Sequence, residues 1–202
     1  NSKIYEYGRE SSLIKSSIFA LFSDFDEPMI ITEDDYNSCF LNPPAHIGSD
    51  IGIGLDLAAG GDENVGFVRH GNKIIHSFFF RQSDTDLAAS LIDLQLEPWK
   101  NTDYTFRADN GGIGQAIIDK IVAKGWNVKR TNNQSPAFNK REFLNLGAEI
   151  WFYVKRLFQR RDVIIPVAAK LKTQLTTRYY RGFDSTQGKY ALESKHEAKA
   201  NG

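Results

Sequence analysis

The stretch GIGLDLAAGGDENVGFV, from Gly52 to Val68, decides how the rest of the chain is interpreted. It begins with the apolar pattern of a core strand, which carries one carboxylate, Asp56, near its end. A Gly-Gly turn and a second strand follow. An acidic side chain between Leu55 and Leu57 needs a stabilising partner, and a metal ion is the strongest candidate for that partner.

The composition indicates a soluble globular protein with one substantial domain. Its 202 residues are enough to bury a sizeable core, and 41% of them are hydrophobic. No apolar run approaches the roughly 18 residues of a membrane span, and no signal-peptide pattern opens the sequence. Because Cys39 is the only cysteine, the sequence contains neither a disulfide framework nor a cysteine-based zinc site, which is compatible with a reducing compartment.

The net charge of zero conceals a division along the chain. Residues 1–119 contain 8 Lys or Arg and 19 Asp or Glu, a net charge of −11. Residues 120–181 contain 14 Lys or Arg and 3 Asp or Glu, a net charge of +11. A segment this basic suits the phosphate backbone of a nucleic acid, although solvated helix faces would give the same count.

The sequence predicts an α/β domain built on a mixed five-stranded sheet. Hydrophobic alternation and turn residues place strands at residues 51–59, 65–70, 73–80, 104–108 and 126–131. The first three follow one another through short turns and pair antiparallel. Helices at residues 83–96 and 113–123 separate the others, which requires crossovers and parallel pairing. We therefore expect three antiparallel strands followed by parallel strands, with helices on both faces.

The segments on either side of the sheet are predicted to be mainly helical. Residues 1–50 form an N-terminal arm that packs on the core of residues 51–202, with a helix at residues 10–22 and a short helix capped by Thr32 and Asp35. A long helix at residues 140–160 carries apolar side chains at helical spacing. Strands at residues 179–183 and 190–193 flank a polar turn and predict a C-terminal β-hairpin.

Two strands of the predicted sheet end in a carboxylate that glycines follow, Asp56 and Asp109. Because the first and fourth strands are parallel neighbours, their C-terminal ends bring these two side chains together. Close carboxylates repel each other unless a cation lies between them, and oxygen ligands favour Mg²⁺ or Mn²⁺. Such a site supports phosphodiester hydrolysis. Two alternatives stay open: each aspartate caps the turn after its strand, or the pair acts on glycosidic bonds.

Basic residues near aromatic side chains are candidates for DNA contacts. They flank the polar loop of residues 132–139, occupy residues 170–181 and recur near the C-terminus: Lys129, Arg130, Lys140, Arg141, Lys170, Lys172, Arg178, Arg181 and Lys195. Tyr179 and Tyr180 lie within the second group, where they could stack on bases. The alternative is that these cations lie on solvated faces and that Lys195 is an ordinary edge-strand lysine.

Four ordered motifs resemble one viral protein family. They are Tyr-Gly-Arg-Glu-Ser-Ser-Leu-Ile-Lys from residue 7, Gly-Leu-Asp-Leu-Ala-Ala-Gly-Gly-Asp-Glu-Asn from residue 54, Arg-Ala-Asp-Asn-Gly-Gly-Ile-Gly from residue 107, and Leu-Glu-Ser-Lys-His-Glu-Ala-Lys from residue 192. This set resembles the C-terminal nuclease domain of the large terminase subunit of tailed bacteriophages, with the headful-packaging terminases of P22-like phages as the nearest likeness. The resemblance covers nearly the whole chain.

The resemblance implies a ribonuclease H-like fold and a metal-dependent endonuclease that cuts concatemeric double-stranded DNA during genome packaging. It makes Asp56 and Asp109 the first and second metal-binding acids of a two-metal site that uses Mg²⁺ or Mn²⁺. The third acid of the family follows the Glu-Ser-Lys strand and is expected beyond Gly202, with Asp184 and Glu193 as weaker substitutes within this chain.

The resemblance also implies partners and a location. It predicts an ATPase domain in the same, longer chain, contacts with the portal and the small terminase subunit, and a place at the procapsid in the host-cell cytoplasm. This sequence contains no Gly-x-x-x-x-Gly-Lys-Ser/Thr loop, so we do not expect it to hydrolyse ATP by that route. Two alternative functions stay open: a DNA-binding or assembly module with an inactive site, and another ribonuclease H-like nuclease, either a resolvase or an RNA–DNA hybrid nuclease.

Overall fold

The computed structural model describes residues 29–58, 62–111, 114–166, 169–184 and 188–193. The chain divides into two compact units, His46–Asn132 and a second unit made of Asn1–Ala45 with Asn133–Gly202. The predicted helix at residues 10–22 lies outside the described residues. The predicted division into an arm of residues 1–50 and a domain of residues 51–202 stays a prediction.

The unit His46–Asn132 contains a five-stranded sheet with strand order β3-β2-β1-β4-β5. β1 pairs antiparallel with β2 and parallel with β4, β2 pairs antiparallel with β3, and β4 pairs parallel with β5. The predicted mixed sheet is therefore confirmed. Its elements are β1 (Ile51–Asp56), β2 (Asn64–His70), β3 (Lys73–Phe80), α2 (Thr85–Leu96), β4 (Tyr104–Asp109), α3 (Gly114–Ala123) and β5 (Lys129–Thr131), with a 3₁₀ turn at Glu97–Trp99.

One face of this sheet carries the main hydrophobic core. Alternate residues of β1 and β4 point into it, among them Ile53, Leu55 and Phe106, each no more than 6% exposed. α2 and α3 cover this face with fully buried side chains such as Ile92 and Ile118. The prediction of helices on both faces is confirmed for this face and stays a prediction for the other.

The described residues of the second unit form three helices and two strands. Its elements are α1 (Glu33–Leu41), α4 (Leu146–Arg160), α5 (Ala169–Thr176), β6 (Tyr180–Asp184) and β7 (Lys189–Leu192). The predicted capping of α1 is confirmed, because the Thr32 hydroxyl accepts the Asp35 N–H and the Asp35 carboxylate accepts the Thr32 N–H. β6 and β7 pair antiparallel. Residues 185–187 between them are not described, so the predicted hairpin as a whole stays a prediction.

β1 ends at Asp56 rather than at the predicted residue 59, and three further predicted boundaries are wrong. α2 is capped by Asp84, which accepts the N–H groups of Asp86 and Leu87, and its first residue is therefore Thr85 rather than a residue near 83. β5 is shorter than predicted because the indole of Trp126 is buried and donates to the Asp93 carboxylate at 2.8 Å, away from the strand pairing.

The last of these wrong boundaries is the start of the long helix. α4 begins at Leu146, not near residue 140, because Asn145 is its N-cap and accepts the Ala148 N–H at 2.9 Å. Phe143, which matches the helical spacing, instead forms a β-bridge with Tyr190 and is 1% exposed. No described helix is both long and apolar enough to cross a membrane.

Candidate active site

The carboxyl ends of β1 and β4 place the two predicted acids side by side. The parallel register pairs Gly54 with Arg107 and Leu55 with Ala108, and the next residue of each strand is Asp56 and Asp109. Neighbouring strands lie about 4.8 Å apart, so the two carboxylates start from adjacent backbone positions. The structure therefore brings together the two residues that the sequence predicts as partners.

The two acids point to the face of the sheet opposite the main core. Leu55 and Ala108, which precede them, are 6% and 1% exposed and belong to the core. Because side chains alternate along a strand, Asp56 and Asp109 lie on the other face, where Asp56 is exposed and Asp109 is half-buried. Both residues take part in interactions within the protein. A turn-capping role does not require a shared face, whereas a joint metal site does.

Thr131 extends the pair into a row of three polar residues. The register of β4 and β5 pairs Asp109 with Thr131, the last residue of β5. Its hydroxyl oxygen is buried and has no hydrogen-bond partner among the described residues. A buried hydroxyl without a partner costs about 1–3 kcal/mol, so an unused donor on the strand next to Asp109 is an unusual feature. Sequence reasoning missed Thr131, although its pairing position follows from the strand order.

Two cations, Arg107 and Lys129, lie on the same face of the sheet as Asp56 and Asp109. Each is two residues before the end of its strand. Arg107 pairs with Lys129, and both are exposed. Two residues of a strand span about 6.6 Å, which separates this pair from Asp109 and Thr131. On the other side of Arg107 lies Gly54, where an added Cβ would meet no atom within 4 Å. Sequence reasoning predicted Lys129 and missed Arg107, which its two-residue spacing from Asp109 would have placed on this face.

A buried amide fixes the chain that follows Asp56. Asn64 is fully buried at the start of β2, and its Oδ1 accepts the Ala58 N–H at 3.2 Å. The bond ties the residues after β1 to the neighbouring strand, which limits the freedom of the backbone next to the acid. The Asn64 Nδ2 has no partner among the described residues.

The row fits part of a site for a hard divalent cation. Carboxylate and hydroxyl oxygens are the ligand type that Mg²⁺ and Mn²⁺ prefer, and Asp56, Asp109 and Thr131 supply them on adjacent strands. Among the described residues, no group of three or more His, Cys, Asp or Glu side chains could hold a metal ion. The described acids therefore make a pair, and a third carboxylate stays a prediction.

The basic residues predicted to contact DNA differ in their surroundings. Arg130 is paired with Asp119, Lys172 with Glu33 at 2.9 Å, and Arg178 with Glu193 at 3.8 Å. Lys129, Lys140, Arg141 and Lys170 are exposed. The side chain of Arg181 and all of Lys195 lie outside the described part of the chain, so their predicted roles stay predictions.

Glu193 has a structural place in the second unit. It is 5% exposed, and its Oε1 accepts the Tyr179 N–H at 2.9 Å. Arg178 donates to its backbone carbonyl at 3.0 Å. These contacts hold β7 beside the residues before β6, and the ranking of Glu193 as a weaker substitute for the third acid stays a prediction.

The only cysteine is not a nucleophile. Cys39 is fully buried and donates to the Phe158 carbonyl at 3.3 Å. Burial, with a further contribution from Asp35, raises the pKa of the Cys39 thiol to about 11. The thiol is therefore protonated at neutral pH, and only a thiolate acts as a nucleophile or a metal ligand.

Comparison with known proteins identifies the fold. No protein-family model matches the chain, and no curated protein matches its sequence. Among solved structures, a variant of the large terminase subunit from bacteriophage Sf6 with calcium has a TM-score of 0.63 and 15% identity, over 85% of this chain and 91% of that chain. The large terminase nuclease of thermophilic phage G20c with bound magnesium has a TM-score of 0.60 and 16% identity, over 82% and 87%.

The chain has the fold of a large terminase nuclease domain. The predicted ribonuclease H-like fold and the resemblance to these nucleases are thereby confirmed. The nuclease domain of the Sf6 large terminase subunit was also solved with manganese and beta-thujaplicinol, and this structure has a TM-score of 0.62 at 15% identity over 85% of this chain and 90% of that chain. At this identity the large terminase nucleases share the fold with the chain, while the chemistry of its site depends on its own residues.

Proposed function

We propose that this chain is the nuclease domain of a large terminase subunit, a metal-dependent endonuclease that cuts concatemeric double-stranded viral DNA during genome packaging. The observation that carries the proposal is the pair of carboxylates at the adjacent ends of β1 and β4. The large terminase nucleases of Sf6 and G20c, which share the fold and were solved with calcium, manganese or magnesium, support it.

In this proposal Asp56 and Asp109 hold the divalent cation, which is Mg²⁺ or Mn²⁺. When bound, such a cation acts as a Lewis acid toward the phosphodiester. The two-metal form of the reaction needs a third carboxylate, which the resemblance to the terminase nucleases places after the Glu-Ser-Lys strand. The proposal extends to an ATPase domain in the same chain, and to portal and small-subunit partners at the procapsid in the host-cell cytoplasm.

Other side chains of the same face bind and orient the DNA backbone. The Thr131 hydroxyl donates a hydrogen bond to a phosphate oxygen or to the attacking water beside the acids. Arg107 and Lys129 contact the neighbouring phosphates. Gly54 leaves the space through which a sugar-phosphate backbone approaches the sheet.

Cleavage of supercoiled plasmid by the full-length protein with Mg²⁺ or Mn²⁺ tests the proposal. Asp56→Asn and Asp109→Asn should each lower the cleavage rate by at least about 100-fold, because the cation contributes several kcal/mol of transition-state stabilisation. Asp103→Asn is the matched control, since Asp103 is exposed and precedes β4 at its opposite end. Unchanged cleavage by both site variants would show that the assignment is wrong.

A second candidate function is a DNA-binding or assembly module that does not cleave. The observation that favours it is that no group of three or more His, Cys, Asp or Glu among the described residues could hold a metal ion. It predicts duplex binding that weakens with salt and no metal-dependent cleavage by the full-length protein. Competition among duplex, junction and RNA–DNA hybrid substrates separates the packaging nuclease from a resolvase or a hybrid nuclease.

A further inference from the structure

The loop before α4 presents an aromatic side chain to solvent. Phe138 is 87% exposed, which is the largest exposure of any large hydrophobic residue in the described part of the chain. Its neighbour Ala137 is 2% exposed and packs with Phe143 and Ala148. The loop therefore inserts a small alanine into the core while the larger phenyl ring stays outside, which is the reverse of what hydrophobic burial alone would select.

Hydrogen bonds fix the backbone that carries this ring. The carboxylate of Glu149, in the first turn of α4, accepts the Phe138 N–H at 2.6 Å and the Asn139 N–H at 3.1 Å. At the other side of the loop, the Leu146 N–H donates to the Ser135 carbonyl at 2.8 Å. The exposed ring is thus held on a preorganised backbone, so little conformational entropy remains to be lost when it binds a partner.

Charge identifies the class of partner. Lys140 and Arg141 follow Phe138 closely, are exposed, and make no ion pair with a described residue. The nearest acid in sequence, Glu142, accepts a hydrogen bond from the Asn139 side chain at 2.8 Å. An exposed apolar ring followed closely by two exposed cations is complementary to nucleic acid, in which phosphates surround stacked bases.

We propose that Phe138 is a wedge that contacts base steps through the minor groove of duplex DNA, while Lys140 and Arg141 bind the flanking phosphates. Apolar side chains of this kind partly unstack a base step and bend the duplex. The contact would position DNA without reading its sequence, since every base step offers an apolar stacking face. The proposal rests on the proposed function only in taking duplex DNA as the partner.

Binding and cleavage measured separately test the wedge. Binding of the full-length protein to a fluorescein-labelled duplex is measured by anisotropy in EDTA, which prevents cleavage. Phe138→Ala should weaken binding by about 5- to 150-fold at every salt concentration, as loss of one stacking contact does. Phe138→Trp should restore it. Leu94→Ala is the control, because Leu94 is also exposed, at 69%, and lies on α2.

A second measurement reports the base step itself. A duplex that contains 2-aminopurine should become more fluorescent when it binds the wild-type protein, and this increase should be absent with Phe138→Ala. Wild-type affinity of Phe138→Ala in EDTA overturns the wedge, as does a change in its oligomeric state with unaltered DNA binding, which would assign the ring to a protein interface. If the wild-type protein binds duplex with these signatures but does not cleave it, the wedge holds and the proposed nuclease function fails.

Discussion

At the scale of single residues, the most informative side chain is Thr131, which has a buried hydroxyl and pairs with Asp109 across β4 and β5. A residue kept for stability and a residue kept for chemistry respond differently to substitution. Thr131→Val removes the hydroxyl and preserves the shape of the side chain. Because the oxygen has no described partner, the free energy of unfolding should stay unchanged or rise by about 1 kcal/mol.

The same substitution should lower the cleavage rate by about 10- to 150-fold, which corresponds to losing a hydrogen bond to a charged group of about 1.5–3 kcal/mol. Thr131→Ser should recover most of the rate. Chemical denaturation and plasmid cleavage measure the two effects on the same samples. A joint loss of stability and activity would assign Thr131 a structural role instead.

At the scale of secondary-structure elements, the pairing of β2 with β3 depends on a glycine under an aromatic ring. Gly66 of β2 pairs with Phe78 of β3, and an added Cβ would lie 2.1 Å from the Phe78 ring. Gly66→Ala should therefore displace the ring and lower the free energy of unfolding by about 1–3 kcal/mol. Gly54→Ala, in the adjacent strand, should have little effect, because its Cβ would enter open space. Equal melting temperatures for the two variants would contradict this account.

The elements also show how far local sequence signals extend. The strand order and the adjacency of Asp56 and Asp109 could be predicted, since alternation, turn residues and crossover rules leave few arrangements. The capping of α1 by Thr32 could be predicted from the four residues Thr32 to Asp35. The start of α4 could not be predicted. Phe143 matches the spacing of a helix, but it pairs with Tyr190, which is distant in sequence. A contact between residues far apart in sequence outweighed the local pattern there.

At the scale of the whole molecule, the basic segment is less available to DNA than its count suggests. Arg130 and Lys172 already pair with acids, one of which belongs to α1. Lys140 and Arg141 make no such pair with a described residue. The sequence could give the number of cations, but their pairing depends on which segments folding brings together. The exposure of Phe138 also could not be predicted from sequence, since it follows from the conformation of the loop and not from the residue type.

Salt titration of DNA binding measures this difference. Lys140→Gln with Arg141→Gln should reduce the slope of log K against log salt by about 2, at roughly 0.9 per phosphate contact. Arg130→Gln with Lys172→Gln removes the same charge and should reduce the slope by less than about 1, because these cations release fewer counterions from DNA. Equal reductions in the two double variants would mean that the ion pairs open when DNA binds.

The burial of Cys39 has a practical consequence for following the molecule at work. It is the only thiol in the chain, and it is enclosed by α1 and α4 in a protonated form. A cysteine introduced on the surface of these 202 residues would therefore be the one position among them that a maleimide dye labels in the native fold. Placed at an exposed position of the loop before α4, such a dye would report the arrival and departure of single DNA molecules without removal of the natural cysteine.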